Sequence, residues 1–128
     1  VNLESQIKAA GADKFPRITP QDIEDAISSE HYFTADRGVL GNAAHDAAGL
    51  ADVGKLRPVV EVLIPQPLHL LTFCVLVLRN GFTVTGESAC ASPENFNAEI
   101  GRKIARQNAV QKIWPLMGFA LREKLAHD

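Results

Sequence analysis

A chain of 128 residues is one domain's worth of protein, enough for a single core and too short for two. Hydrophobic residues at 46% and charged residues at 22% exclude a disordered, collagen-like or disulfide-dense chain. The net charge of −2 conceals a gradient, with four basic and eight acidic residues over 1–50 but six basic and two acidic over 101–128, so no domain-wide basic surface is available to coat a nucleic-acid polymer.

Leu3, Ile7 and Ala10 followed by Gly11 predict a short amphipathic helix with a glycine stop. Thr19-Pro20-Gln21-Asp22 supplies a capping hydroxyl, a proline at the first helical position and an acid three residues after the cap. Ile23, Ala26 and Ile27 continue at helical spacing, which predicts a helix over about 20–32. Glycines at 38, 41, 49 and 54 among alanines predict a variable loop over 36–57, with one short helix near 42–51. Pro58, Pro65 and Pro67 bracket the run Val59 to Ile64, whose β-branched content suits a short edge strand or an extended segment.

Asn80-Gly81 between LHLLTFCVLVLR and FTVTGES is the pattern of a hairpin closed by a two-residue type I′ turn. With that turn, Arg79, Phe82, Val77, Val84, Val75 and Phe73 share one face, while Leu78, Thr83, Leu76, Thr85, Cys74 and Glu87 share the other. The first strand is apolar on both faces, which predicts a central or doubly covered position and, in so small a chain, a homo-oligomer, dimer at least. Ser92-Pro93-Glu94-Asn95 predicts the start of a long helix. Phe96, Ile100, Ile104, Val110, Trp114, Met117, Leu121 and Leu125 form its apolar stripe, Pro115 predicts a kink or restart near 113–116, and Gly101 implies close approach of a backbone or a ligand. The fold class is therefore α+β: an antiparallel hairpin or sheet packed against a long kinked C-terminal helix, with an N-terminal helix. It is one domain, with a helical part over 1–35, the loop over 36–57, strands over 58–90 and C-terminal helices over 92–126.

The residues offer little catalytic chemistry. His31, His45, His69 and His127 stand at no metal-ligand spacing, and Cys74 and Cys90 form no C-x-x-C motif. No nucleophile, base and orienter can be assembled, and Walker and dinucleotide glycine patterns are missing. The expectation is a binding protein with no cofactor and no metal. The longest apolar stretch, eleven residues from Leu68 to Leu78, is far short of the ~20 that span a bilayer. The N-terminal residues lack the pattern of a secretory signal, so a cytoplasmic location is expected. Arg102 and Arg106 lie one helical turn apart with Lys103 beside them, a spacing that suits a diphosphate between helix and sheet. Equally, Glu99 can pair with Lys103 and Arg102 on a solvated face. Phe82 after the turn and Thr83 and Thr85 along the second strand are either parts of the fold or parts of such a site.

The run from LLTFCVLVLRNGFTVTGESAC through SPENFNAEIGRKIAR to KIWPL resembles a family of small phage proteins widespread in tailed phages and prophages. ITPQDIEDAISSEHYFTA resembles that family's N-terminal helix. The family in turn resembles the first-type Thoeris anti-defence sponges, which bind cyclic ADP-ribose isomers made by host TIR proteins and keep them from their effector. The resemblance implies sequestration without catalysis in the host bacterial cytoplasm, an assembly of dimers or higher, and in some members binding of cyclic oligonucleotides at separate sites. It assigns ligand contacts to Arg102 and Arg106, to Phe82, Thr83 and Thr85, and to Asn95. The alternative is a phage protein that binds and inhibits a host protein.

Overall fold

The computed structural model describes residues 2–47, 59 and 61–127. Helix α1, Leu3–Ala9, is capped by Asn2, whose Oδ1 accepts from Ser5 N at 2.8 Å, and the chain leaves it through Gly11 at φ 73°. Helix α2, Pro20–Ala26, begins with the expected capping box: Thr19 Oγ1 accepts from Asp22 N at 3.1 Å and Asp22 Oδ2 accepts from Thr19 N at 2.9 Å. It ends six residues earlier than its sequence pattern suggests. Residues Ile27–Thr34 form strand β1, paired antiparallel with β2, Leu71–Leu78, which pairs on its other edge with β3, Thr83–Ala89. The central strand is thus the one that is apolar on both faces. Its demand for two hydrogen-bonding neighbours overrides the helical spacing of Ile23, Ala26 and Ile27 and draws the next segment into the sheet.

Helix α3, Ala35–Asp46, starts seven residues before the expected short helix; the rest of that expectation, from 48 to 51, lies outside the described residues. Gly38 is accommodated because it sits under the ring of Phe33, where an added Cβ would come within 3.3 Å of the ring carbons. The expected edge strand or extended segment over 59–64 is not found, for residues 59 and 61–63 are helical. β-branched residues favour a strand only when paired with a neighbouring ladder, and the sheet consists of β1, β2 and β3 without this segment.

The hairpin is present, but its turn differs. Gly81 N donates to Leu78 O at 2.9 Å and Leu78 N to Phe82 O at 2.8 Å, leaving a three-residue loop of Arg79, Asn80 and Gly81. Only Gly81 has positive φ, at 89°, so the turn is a type I turn ending in a left-handed glycine instead of type I′, which requires two positive φ values. Asn80 Oδ1 fixes the loop by accepting from Phe82 N at 2.9 Å. The extra loop residue shifts the register by one, pairing Leu76 with Val84 and Cys74 with Gly86. Every side chain of β3 therefore changes face: Val84 and Gly86 join Leu76 and Cys74 in the core, while Thr83, Thr85 and Glu87 lie on the opposite face beside Val77, Val75 and Phe73.

Ser92 does not open the long helix. Pro93–Asn95 is a single 3-10 turn, and helix α4, Ala98–His127, starts after Asn97, whose Oδ1 accepts from Ile100 N at 3.0 Å. Pro115 does not restart it, for α4 is helical throughout. Its core-facing stripe is Gly101, Ala105, Ala109 and Ile113, rotated from the expected one, and Ile100 and Ile104 are exposed. Val110, Trp114 and Met117 flank the core formed by Ile23, Ile27, Cys74, Leu76, Leu78 and Val84. Small residues win this position because α4 crosses the sheet at contact distance. A Cβ on Gly86 would stand 2.1 Å from the Ala105 carbonyl oxygen and 2.3 Å from the Ala109 nitrogen.

Gly86→Ala should therefore destabilise the protein by about 3 kcal/mol, because both obstacles are backbone and α4 must lift off the sheet. Gly101→Ala should change stability by less than about 1 kcal/mol: its Cβ meets only the Thr72 side chain, at 3.0 Å, and the gain in helix propensity is of similar size. Denaturant melts of the two variants measure the contrast.

Candidate functional site

Three segments distant in sequence meet where β1 ends and β2 begins. The end of β1 brings Tyr32, Phe33 and Thr34, and the start of α3 brings Asp36 and Arg37. The 3-10 turn Gln66–Leu70 with the first residues of β2 brings His69 and Thr72, and the approach to α4 and its first turns bring Phe96, Ala98 and Arg102. Together they line a cavity of about 330 Å³, inside the ~300–1,000 Å³ range of small-molecule sites.

The lining is chemically mixed. The rings of Tyr32, Phe33 and Phe96 supply flat apolar surface, and Phe33 is held by stacking on Phe73, with centroids 5.4 Å apart. Arg37 and Arg102 supply charge, and among the described residues neither has a carboxylate partner. Asp36 Oδ2 accepts from His69 Nδ1 at 2.8 Å. Burial pushes the Asp36 carboxyl up, but the Thr34 hydroxyl, the backbone N–H groups opening α3 and the His69 ring outweigh it and hold the group below the usual carboxylate range. Asp36 Oδ1 and Thr72 Oγ1 are buried without hydrogen-bond partners.

Of the residues singled out in the sequence, the structure brings Arg102 alone to this cavity. Arg106, one turn further along α4, is held in a cage of carboxylates. Its Nη1 and Nη2 donate to Glu24 at 3.1 and 2.7 Å, and its Nε donates to Glu30 at 2.9 Å, so the guanidinium joins α4 to α2 and β1. Glu24 first and Glu30 second raise its pKa further above the ordinary arginine value. Tyr32 is part of the same cluster, donating from its hydroxyl to Glu30 at 2.7 Å, and burial followed by that bond pushes its phenol up. Lys103 faces solvent and pairs with Glu99 at 3.4 Å, as one of the two sequence readings has it. Phe82 is 55% exposed at the hairpin tip, Thr83 and Thr85 lie on the sheet face away from α4, and Asn95 is exposed in its 3-10 turn. Arg37, Asp36, His69, Thr72, Tyr32 and Phe33 escaped the sequence reading as a site, and Phe96 reads there as core more than as a stacking platform. The one signal is the charge and histidine content of Asp36, Arg37 and His69, in segments that read as loop and strand.

Among the described residues there is no group of three or more metal-ligating side chains, and no helix is long and apolar enough to cross a membrane. The fold and cavity define a class: a small α+β protein with a ligand-sized pocket at one end of a three-stranded antiparallel sheet. Residues 18–125 match the model of the phage protein (N4 Gp49/phage Sf6 gene 66) family, and the chain belongs to that family. No curated protein and no solved structure matches it.

The Arg106 cage yields a stability prediction. Arg106→Lys keeps the charge but loses the planar fork, and should cost about 1 kcal/mol in a denaturant melt. Arg106 first, and then Tyr32, hold the Glu30 carboxyl below its usual range. A group depressed on folding stabilises the native state above its unfolded pKa of about 4.3, and that contribution vanishes as pH falls through the folded value. Stability should thus drop more steeply below about pH 4.5 in the wild type than in Glu30→Gln, by under about 1 kcal/mol because the pair is partly solvated.

Proposed function

We propose that this protein binds and sequesters a cyclic nucleotide immune signal, a cyclic ADP-ribose isomer in the first instance, without degrading it, and so acts for the phage against a host defence. The observation that carries the reading is the cavity, in which two arginines without a carboxylate partner among the described residues stand among three aromatic rings. Guanidinium groups without a carboxylate partner are suited to phosphate oxygens, and aromatic faces are suited to a nucleobase. Membership of a phage family supports the setting. The similarity of its motifs to the first-type Thoeris anti-defence sponges supports the ligand class and extends it to cyclic oligonucleotides.

Within this reading Arg102 touches the ligand and Arg106 keeps the wall in place. Homo-oligomerisation belongs to the same proposal and is supported by the half-buried apolar side chains of Phe73, Val75 and Val77 on the sheet face away from α4. The second reading, inhibition of a host protein, is favoured by the exposed Leu116, Phe119 and Leu125 on the distal half of α4.

Purified protein mixed with a cyclic ADP-ribose isomer should deplete it from solution and return it intact, in stoichiometric amount, after heat denaturation. Linear ADP-ribose accumulating beyond the amount of protein would show turnover and end the sequestration reading. Arg102→Ala should weaken binding at least about tenfold with little change in melting temperature, whereas Arg106→Lys should lower the melting temperature. Binding unchanged in Arg102→Ala would remove the cavity from the proposal.

A further inference from the structure

Two buried side-chain oxygens among the described residues lack a hydrogen-bond partner, Asp36 Oδ1 and Thr72 Oγ1, and both residues line the same cavity. Thr72 is 3% exposed and lies beneath Gly101, which leaves room for its hydroxyl. The Asp36 side chain is 16% exposed and has its other oxygen engaged by His69. A buried polar atom without a partner is costly, the more so in a charged group, and native structures rarely leave one unsatisfied. The two defects impose different demands. A hydroxyl both donates and accepts, so Thr72 can meet almost any polar group. An ionised carboxylate only accepts, so Asp36 Oδ1, which the Thr34 hydroxyl and the N–H groups opening α3 favour electrostatically without closing a hydrogen bond to it, needs a donor.

That need restricts what occupies the cavity. A phosphate at neutral pH brings acceptors and negative charge, which Arg37 and Arg102 suit but Asp36 repels. The occupant must carry a donor close to its anionic group, and in a nucleotide the ribose hydroxyls stand a few bonds from the phosphate. Building on the sequestration reading, we infer that the cavity recognises a phosphorylated ribose through a hydroxyl that donates to Asp36 while the phosphate lies toward Arg37 and Arg102. The site then selects ribonucleotides over their deoxy counterparts. The aromatic walls are indifferent to that distinction, since a base presents the same face in either sugar series.

The test compares cyclic ADP-ribose with two analogues from which the 2′,3′-hydroxyl pair of one or the other ribose has been removed, by calorimetry on the full chain. Wild-type protein should bind the parent at least about tenfold more tightly than one of the analogues, the loss expected when a buried charged acceptor goes unpaired. In Asp36→Asn, which preserves shape, the parent should weaken by a similar factor and the discriminated analogue should not, so the preference collapses. The comparison on unmutated protein decides the matter even if the variant folds poorly. Parent and both analogues bound equally tightly would overturn the ribose inference, a water then serving Asp36, and would leave sequestration standing. A preference that survives Asp36→Asn would also overturn it, since another group would then read the sugar. No binding of any of the three at millimolar concentration would remove the sequestration of this nucleotide and the inference with it.

Discussion

The contact between Gly86 and the backbone of Ala105 and Ala109 sets the geometry of this molecule. Helices usually stand off a sheet by the length of their side chains. Here a glycine on β3 and two alanines on α4 bring backbone against backbone, and the core is thin at that point. The consequence propagates. Gly101, one turn before Ala105, comes down over Thr72 at the start of β2, and Ile113, one turn after Ala109, reaches the wider part of the core where a large side chain fits. The close crossing also fixes how far Arg102 and Arg106 stand from β1, so that one guanidinium reaches Glu24 and Glu30 while the other borders the cavity.

Much of the architecture can be read from residue types, because local rules and tertiary demands agree there. The capping box at Thr19 and Asp22, the glycine after α1, the hairpin at Asn80-Gly81 and the central place of β2 all follow from chemistry within a few residues. The failures occur where two local readings compete and a distant partner decides. The face of β3 depends on whether the loop holds two or three residues, a choice made when Gly86 rather than Thr85 or Glu87 is the residue able to meet α4. The stripe of α4 differs for the same reason. Large apolar side chains at helical spacing predict burial, but a backbone-close crossing buries the small residues and turns Ile100 and Ile104 outward.

Strand β1 shows a different kind of concealment. Its inward residues include Glu30 as well as Tyr32, so the alternation of polar and apolar side chains that betrays a half-buried strand is broken. Glu30 is tolerated on that face because Arg106, 76 residues later, supplies its counter-charge, and no local rule relates the two. The cavity was hidden in the same way. Its lining comes from positions 32–37, 69–72 and 96–102, and each segment alone reads as strand, turn or helix start.

The distribution of charge explains why this end of the sheet is suited to an anion although the chain as a whole is acidic. On α4 beside the cavity, Arg106 is consumed by two carboxylates and Lys103 by one, so their positive charge is spent within the fold. Among the described residues Arg37 and Arg102 keep theirs, and the one carboxylate in the cavity lining is that of Asp36, which His69 already engages. With a Debye length of about 8 Å at physiological ionic strength, an approaching small ligand senses these cavity charges and little of the net −2 beyond them. Capture by such a site gains little from long-range steering and depends on contacts made after entry. On the proposed sequestration, affinity would come from desolvated arginine–phosphate pairs and ring stacking, interactions that chiefly slow departure. Slow release is the property a sequestering protein requires, and local charge on an acidic chain is sufficient for it.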